Sequence, residues 1–103
     1  MTTVAVDAYV LDTLLPDLVG HDRHPSAFLV YLHLWRHSAG GTVAVARSLR
    51  ELAEGTGLSK RAVQDALDQL ARRRLVTVER ESVTAVATVR VLRPWARRAS
   101  GRA

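Results

Sequence analysis

The chain has 103 residues, 48% of them apolar, with 15 Lys and Arg against 10 Asp and Glu for a net charge of +5. That length suits one domain with a core of its own, and the lack of cysteine excludes disulfides and thiolate metal sites and fits a reducing compartment. No apolar run approaches the ~18 to 20 residues of a membrane span and no secretory leader pattern opens the chain, so the expectation is a soluble, cytoplasmic protein with no membrane partner.

Taken in chain order, Val4 to Val6 is short and β-branched, and Asp7 is placed to cap a helix running to about Val19. Val10, Leu11, Leu14, Leu15 and Leu18 form its apolar stripe. Pro16 removes a backbone donor and crowds the preceding turn, which predicts a kink or break near Leu15. After the polar connector Gly20 to His24, Pro25 starts a second helix through about Ser38, ended by Gly40 and Gly41. Its run from Ala27 to Trp35 is apolar almost all the way round, which predicts a place at the centre of the fold.

Thr42 to Ala46 reads as a short strand. Ser48 with Glu51 three residues on makes a capping box for a helix to about Glu54, broken by Gly55, Thr56 and Gly57. Ser59 caps the next helix, which carries Ala62, Val63, Ala66, Leu67 and Leu70 on one face and ends near Arg73. From Leu75 the apolar period falls to two: Leu75 to Val78 and Thr84 to Leu92 read as strands, joined by the polar bend Glu79 to Ser82 as a hairpin. Residues 1–40, 42–73 and 75–92 are therefore three stretches of one domain over 1–95, followed by a basic tail over 96–103 with Arg97, Arg98 and Arg102.

Two short helices around a glycine turn, followed at once by a hairpin, are the parts of a winged helix-turn-helix. The segment Ser48 to Leu70, SLRELAEGTGLSKRAVQDALDQL, resembles the helix-turn-helix of GntR-type and MarR-type repressors and the winged domains of phage and plasmid replication proteins. The fold class so implied is α+β, mainly α, with three to four helices and a small antiparallel sheet. Ala53 is small enough for a close helix crossing, Gly57 supplies a positive φ, and Leu58 plugs the corner. Arg74 stands where the resembled families usually carry glycine, so either the helix ends differently or a strained residue is tolerated.

What the resemblance implies is binding of double-stranded DNA, as in a transcriptional regulator, with the helix 59–73 in the major groove and the wing 79–83 on backbone or minor groove. Its contact residues are then Ser59, gripping phosphate at the helix N-terminus, Lys60 and Arg61 on phosphate or guanine, and Gln64 on a base. Arg47, Ser48 and Arg50 flank the start of the first motif helix, and Arg80 stands at the wing. Arg72, Arg73 and Arg74 read equally as a phosphate clamp or as cations favoured at any helix C-terminus. Asp65 and Asp68 belong at the edge of such a contact or in pairs with nearby arginines.

Charge is unevenly spread in support of this reading. Residues 1–22 hold Asp7, Asp12, Asp17 and Asp22 and no Lys or Arg, so every base lies beyond them. All but Lys60 are arginine, which suits bidentate contacts, although a GC-rich coding bias produces the same enrichment. The contrary reading is a protein-interaction module within a DNA-replication, partition or other DNA-processing assembly, supported by the acidic N-terminal half, Asp65 and Asp68. A homodimer through the N-terminal helices is expected as a partner, because specific regulators usually double their contacts.

Nothing in the chain calls for catalysis: there is no nucleophile elbow, phosphate loop or paired-acid constellation. The expectation is therefore no enzyme, no cofactor and no metal. His33 and His37, four apart on one helix, are a weak metal signal in the absence of a carboxylate at metalloprotease spacing.

Overall fold

The computed structural model describes residues 1–80 and 86–96. The bend residues Glu81 and Ser82 and the tail arginines Arg97, Arg98 and Arg102 lie outside the described residues.

Helix α1, Pro25–His37, begins with Pro25 in its first turn. Its Ala27, Phe28, Val30, Tyr31, Leu34 and Trp35 are buried, while Leu29 on the same helix is exposed. Around it lie α2 (Leu49–Thr56), α3 (Lys60–Arg72) and a three-stranded sheet of β1 (Val45–Arg47), β2 (Val76–Glu79) and β3 (Ala87–Val91). β3 is the central strand and both its pairings are antiparallel, with Val45 and Val78 flanking Val89. The core joins Leu52 of α2, Val63, Ala66, Leu67 and Leu70 of α3, and Val76, Val89 and Val91 of the sheet to α1. This is a mainly helical α+β fold of the winged helix-turn-helix type. No helix among the described residues is long and apolar enough to cross a membrane.

The N-terminal segment departs from the expected α-helix. It consists of two π-wound stretches, Val10–Leu14 and Asp17–His21, joined through Leu15 and Pro16. Pro16 has no N–H to give, and its ring would strike the carbonyl four residues back in an α-helix. The wider winding, in which the Leu15 N–H donates to the Val10 carbonyl, takes the strain without breaking the helix. Of the expected stripe, Val10, Leu14 and Leu18 are buried, whereas Leu11 and Leu15 are exposed. Asp7 does not cap this helix through its side chain: its backbone carbonyl accepts the Val10 N–H at 2.9 Å, while its carboxylate binds elsewhere.

Other boundaries shift for local reasons. The strand expected from Thr42 starts only at Val45, because residues 38–43 form a tight turn in which the Thr42 and Val43 N–H groups both donate to the Ser38 carbonyl. α2 runs on to Thr56, so Gly55 and Thr56 lie within it, and Gly57 alone ends it in the left-handed conformation at φ +81°. Gly55 is there for proximity: a Cβ would lie 2.5 Å from the His33 ring on α1.

α3 ends in a Schellman motif, with the Leu75 N–H donating to the Leu70 carbonyl at 2.9 Å and the Arg74 N–H to Ala71 at 3.0 Å. The left-handed position of that motif belongs to Arg74, at φ +58°. Of the two readings open for Arg74, the strained residue is the one realised.

Candidate nucleic-acid interface

The turn between α2 and α3 is fixed at both ends by side-chain caps. Ser48 Oγ accepts the Glu51 N–H at 3.0 Å while Glu51 Oε1 accepts the Ser48 N–H at 2.9 Å. These bonds to Ser48 hold the Glu51 carboxyl below the ordinary glutamate range. Ser59 Oγ accepts the Ala62 N–H at 3.0 Å and starts α3. Between them the left-handed Gly57 turns the chain, and Leu58 packs against the core. The result leaves Ser59, Lys60 and Arg61 exposed at the start of α3.

A concave surface of about 320 Å³ lies where the start of α2, the start of α3 and the hairpin meet. Arg47, Ser48, Arg50, Lys60 and Arg80 rim it over a floor that includes Leu52, Leu67 and Ala87. Five of the ten residues singled out in the sequence converge here, from β1, the start of α2, α3 and the hairpin. Four are bases, and no carboxylate is among the described residues lining the hollow.

The remaining five are placed differently. Ser59 is the exposed cap just described. Arg61 lies 3.6 Å from Asp65 one turn on, and Gln64 Nε2 donates to Asp68 Oδ1 at 2.9 Å, so both acids of α3 have partners on their own helix. These are exposed side-chain contacts of small energy. Arg72 bonds through Nη2 to Gln69 Oε1 at 2.8 Å and is exposed. Arg50, at the hollow, is also 3.3 Å from Glu54.

Arg73, at the end of α3, faces acids of the N-terminal segment. Its Nη2 donates to Asp17 Oδ2 at 2.9 Å, and its Nε lies 3.1 Å from Asp22 Oδ2. Asp22, whose side chain is only 7% exposed, also accepts Gln69 Nε2 at 2.8 Å. Its carboxyl is held below the usual aspartate range first by the His21 ring at 2.9 Å, and further by Gln69 and the charge of Arg73, against the opposing effect of burial. The acidic N-terminal segment therefore engages Gln69 and Arg73 near the C-terminal end of α3 and leaves its first turn open.

Sequence reasoning did not find the fastening of Asp7 to Arg93 and Trp95, near the two ends of the domain. Asp7 Oδ2 accepts Arg93 Nη2 at 2.7 Å, Arg93 Nε at 3.0 Å and Trp95 Nε1 at 3.0 Å. Trp95 stacks on Tyr9 at 4.5 Å between centroids and lies 6.4 Å from Trp35. The Trp95 bond, then Arg93, lowers the pKa of Asp7. His33 and His37, centroids 4.5 Å apart, sit where α1 meets Gly55 of α2, and burial first, then His37 and Arg47, push the pKa of His33 down. Among the described residues, no three His, Asp or Glu side chains converge as for a metal ion.

Residues 24–76 match a protein family described as a helix-turn-helix domain. That match covers more than half of the chain, from the residue before α1 to the first residue of β2. No curated protein and no solved structure is significantly similar to it. With the turn at Gly57, the caps at Ser48 and Ser59 and the attached three-stranded sheet, the chain belongs to this helix-turn-helix domain family.

Proposed function

We propose that the protein binds double-stranded DNA as a transcriptional regulator, with the first turn of α3 in the major groove and the basic hollow on the adjoining phosphates. The hollow carries this reading: Arg47, Arg50, Lys60 and Arg80 converge with no acid among its described lining, beside an exposed helix N-terminus. Arg61 and Gln64 are the base-facing set, and Arg47, Ser48, Arg50, Ser59, Lys60 and Arg80 the backbone set. Arg73 leaves the set because its guanidinium is held by Asp17 and Asp22. A non-catalytic, cytoplasmic role follows from the same reading.

The interaction-module alternative draws on an acidic N-terminal surface, and it loses weight because Asp7, Asp17 and Asp22 are already partnered by arginines of the same molecule. For a two-fold dimer the supporting feature is the exposed row Leu11, Leu15 and Val19 on the N-terminal segment, beside its buried stripe. Sedimentation with and without Leu15→Glu tests it, a monomer in both cases removing the dimer.

Duplex binding is tested by titrating a random-sequence duplex at several salt concentrations. Engagement of the four bases predicts a log-affinity slope of roughly −3 to −4 against log salt. No retention of duplex at low salt removes the reading.

A further inference from the structure

At the far end of α3 the chain leaves a second hollow, of about 700 Å³, within the size range of small-ligand sites. It exists because α3 stops at Arg72, the chain reverses through the left-handed Arg74, and β2 then departs along the edge of the sheet. Ala71, Val76, Val91, Leu92 and Pro94 give it apolar walls. Its shape is braced by the Leu92 N–H bond to the Leu75 carbonyl at 2.8 Å and by the Tyr31 hydroxyl, which donates to the Leu92 carbonyl at 2.8 Å.

Two arginines reach this apolar hollow. Arg93 is committed to Asp7. Arg74 is exposed, and its guanidinium has no hydrogen-bond or ion-pair partner among the described residues. It is also the residue held at φ +58°, where glycine would be unstrained. A strained backbone that presents an unneutralised cation beside an apolar cavity is the combination expected of a binding position.

We propose that this hollow binds a small apolar anion, a carboxylate or sulfonate on an aromatic or aliphatic body, with the body against Ala71, Val76, Leu92 and Pro94 and the charge on Arg74. The inference stands apart from DNA binding, because its test contains no nucleic acid.

The full chain is titrated with anilinonaphthalene sulfonate and with its uncharged counterpart N-phenylnaphthylamine, each followed by its own fluorescence. One saturable sulfonate site per chain is expected. Arg74→Gly, which relaxes the backbone, weakens the sulfonate about tenfold and leaves the uncharged probe unchanged. Ala71→Phe, at an exposed position lining the hollow, lowers binding of both probes, with the circular-dichroism spectrum confirming the fold. Three results overturn the proposal: no saturable sulfonate binding, full sulfonate affinity in Arg74→Gly, or both probes still bound to a folded Ala71→Phe. The last would send the probes to another apolar surface, such as Leu11, Leu15 and Val19.

Discussion

Lys60 and Arg73, near the two ends of α3, are cations with opposite electrostatic surroundings. At the N-terminal end Lys60 and Arg61 are exposed, and Lys60 joins three arginines from β1, α2 and the hairpin around one hollow. At the C-terminal end Arg73 is half-buried between Asp17 and Asp22. A cation at a helix C-terminus is favoured by the helix dipole whatever it touches. Position along a helix therefore says little about what an arginine does, and the charge packed against it says much more.

The comparison is broken most directly at Arg73. Arg73→Ala leaves the nearly buried Asp22 carboxylate without its cation, and a loss of about 2–3 kcal/mol in urea unfolding is expected. The salt dependence of duplex binding should keep its slope at a temperature where the variant is folded. A slope smaller by about one unit would return Arg73 to the DNA-contacting set.

Lys60→Ala should give the reverse pattern. Stability should stay within about 0.5 kcal/mol of the parent, since the side chain is exposed and has no ion-pair partner among the described residues. Duplex affinity should fall, and the log–log slope should shrink by about one unit. Unchanged binding would mean that the open end of α3 is merely solvated.

Acid sharpens the comparison with smaller effects. His33 has a folded pKa below that of a free imidazole, so its contribution is complete above about pH 6.5 and is lost as the pH falls through the folded value. Asp7 and Asp22 have lowered pKa values too, so the stability they confer is present above about pH 4 and is lost as the pH falls through their folded values. Chemical unfolding at stepped pH should show both declines. Asp22→Asn should flatten the lower one and leave the decline below about pH 6.5 in place.

Local chemistry was readable in the sequence. The Ser48–Glu51 box, the Ser59 cap and the turn at Gly57 each depend on residues within a few positions of one another, and the structure has all three. The all-round apolar pattern of α1 likewise fixed its central place. Arg74 stood out by its place in the resembled motif, and the backbone there is strained as that place demands.

What was not legible is non-local. Arg73 and Asp17 are 56 positions apart, and Arg93 and Asp7 86 apart, so no spacing rule connects them. Gly55 looked like a helix breaker because the ring of His33, which requires its missing side chain, is on another helix. The π-winding escaped because an apolar residue at every fourth position fits the wider coil as well as the ordinary one. The basic hollow was seen only as a scatter of arginines along the chain until β1, α2, α3 and the hairpin brought them together.

The aromatic fastening at Asp7 has a practical consequence for optical work on this molecule. Both tryptophans of the chain, Trp35 and Trp95, sit in that one cluster. Intrinsic ultraviolet emission therefore reports the closure of residues 5–9 against 93–96, and a nucleic acid docking on α3 would be silent in that signal unless it loosened the buckle.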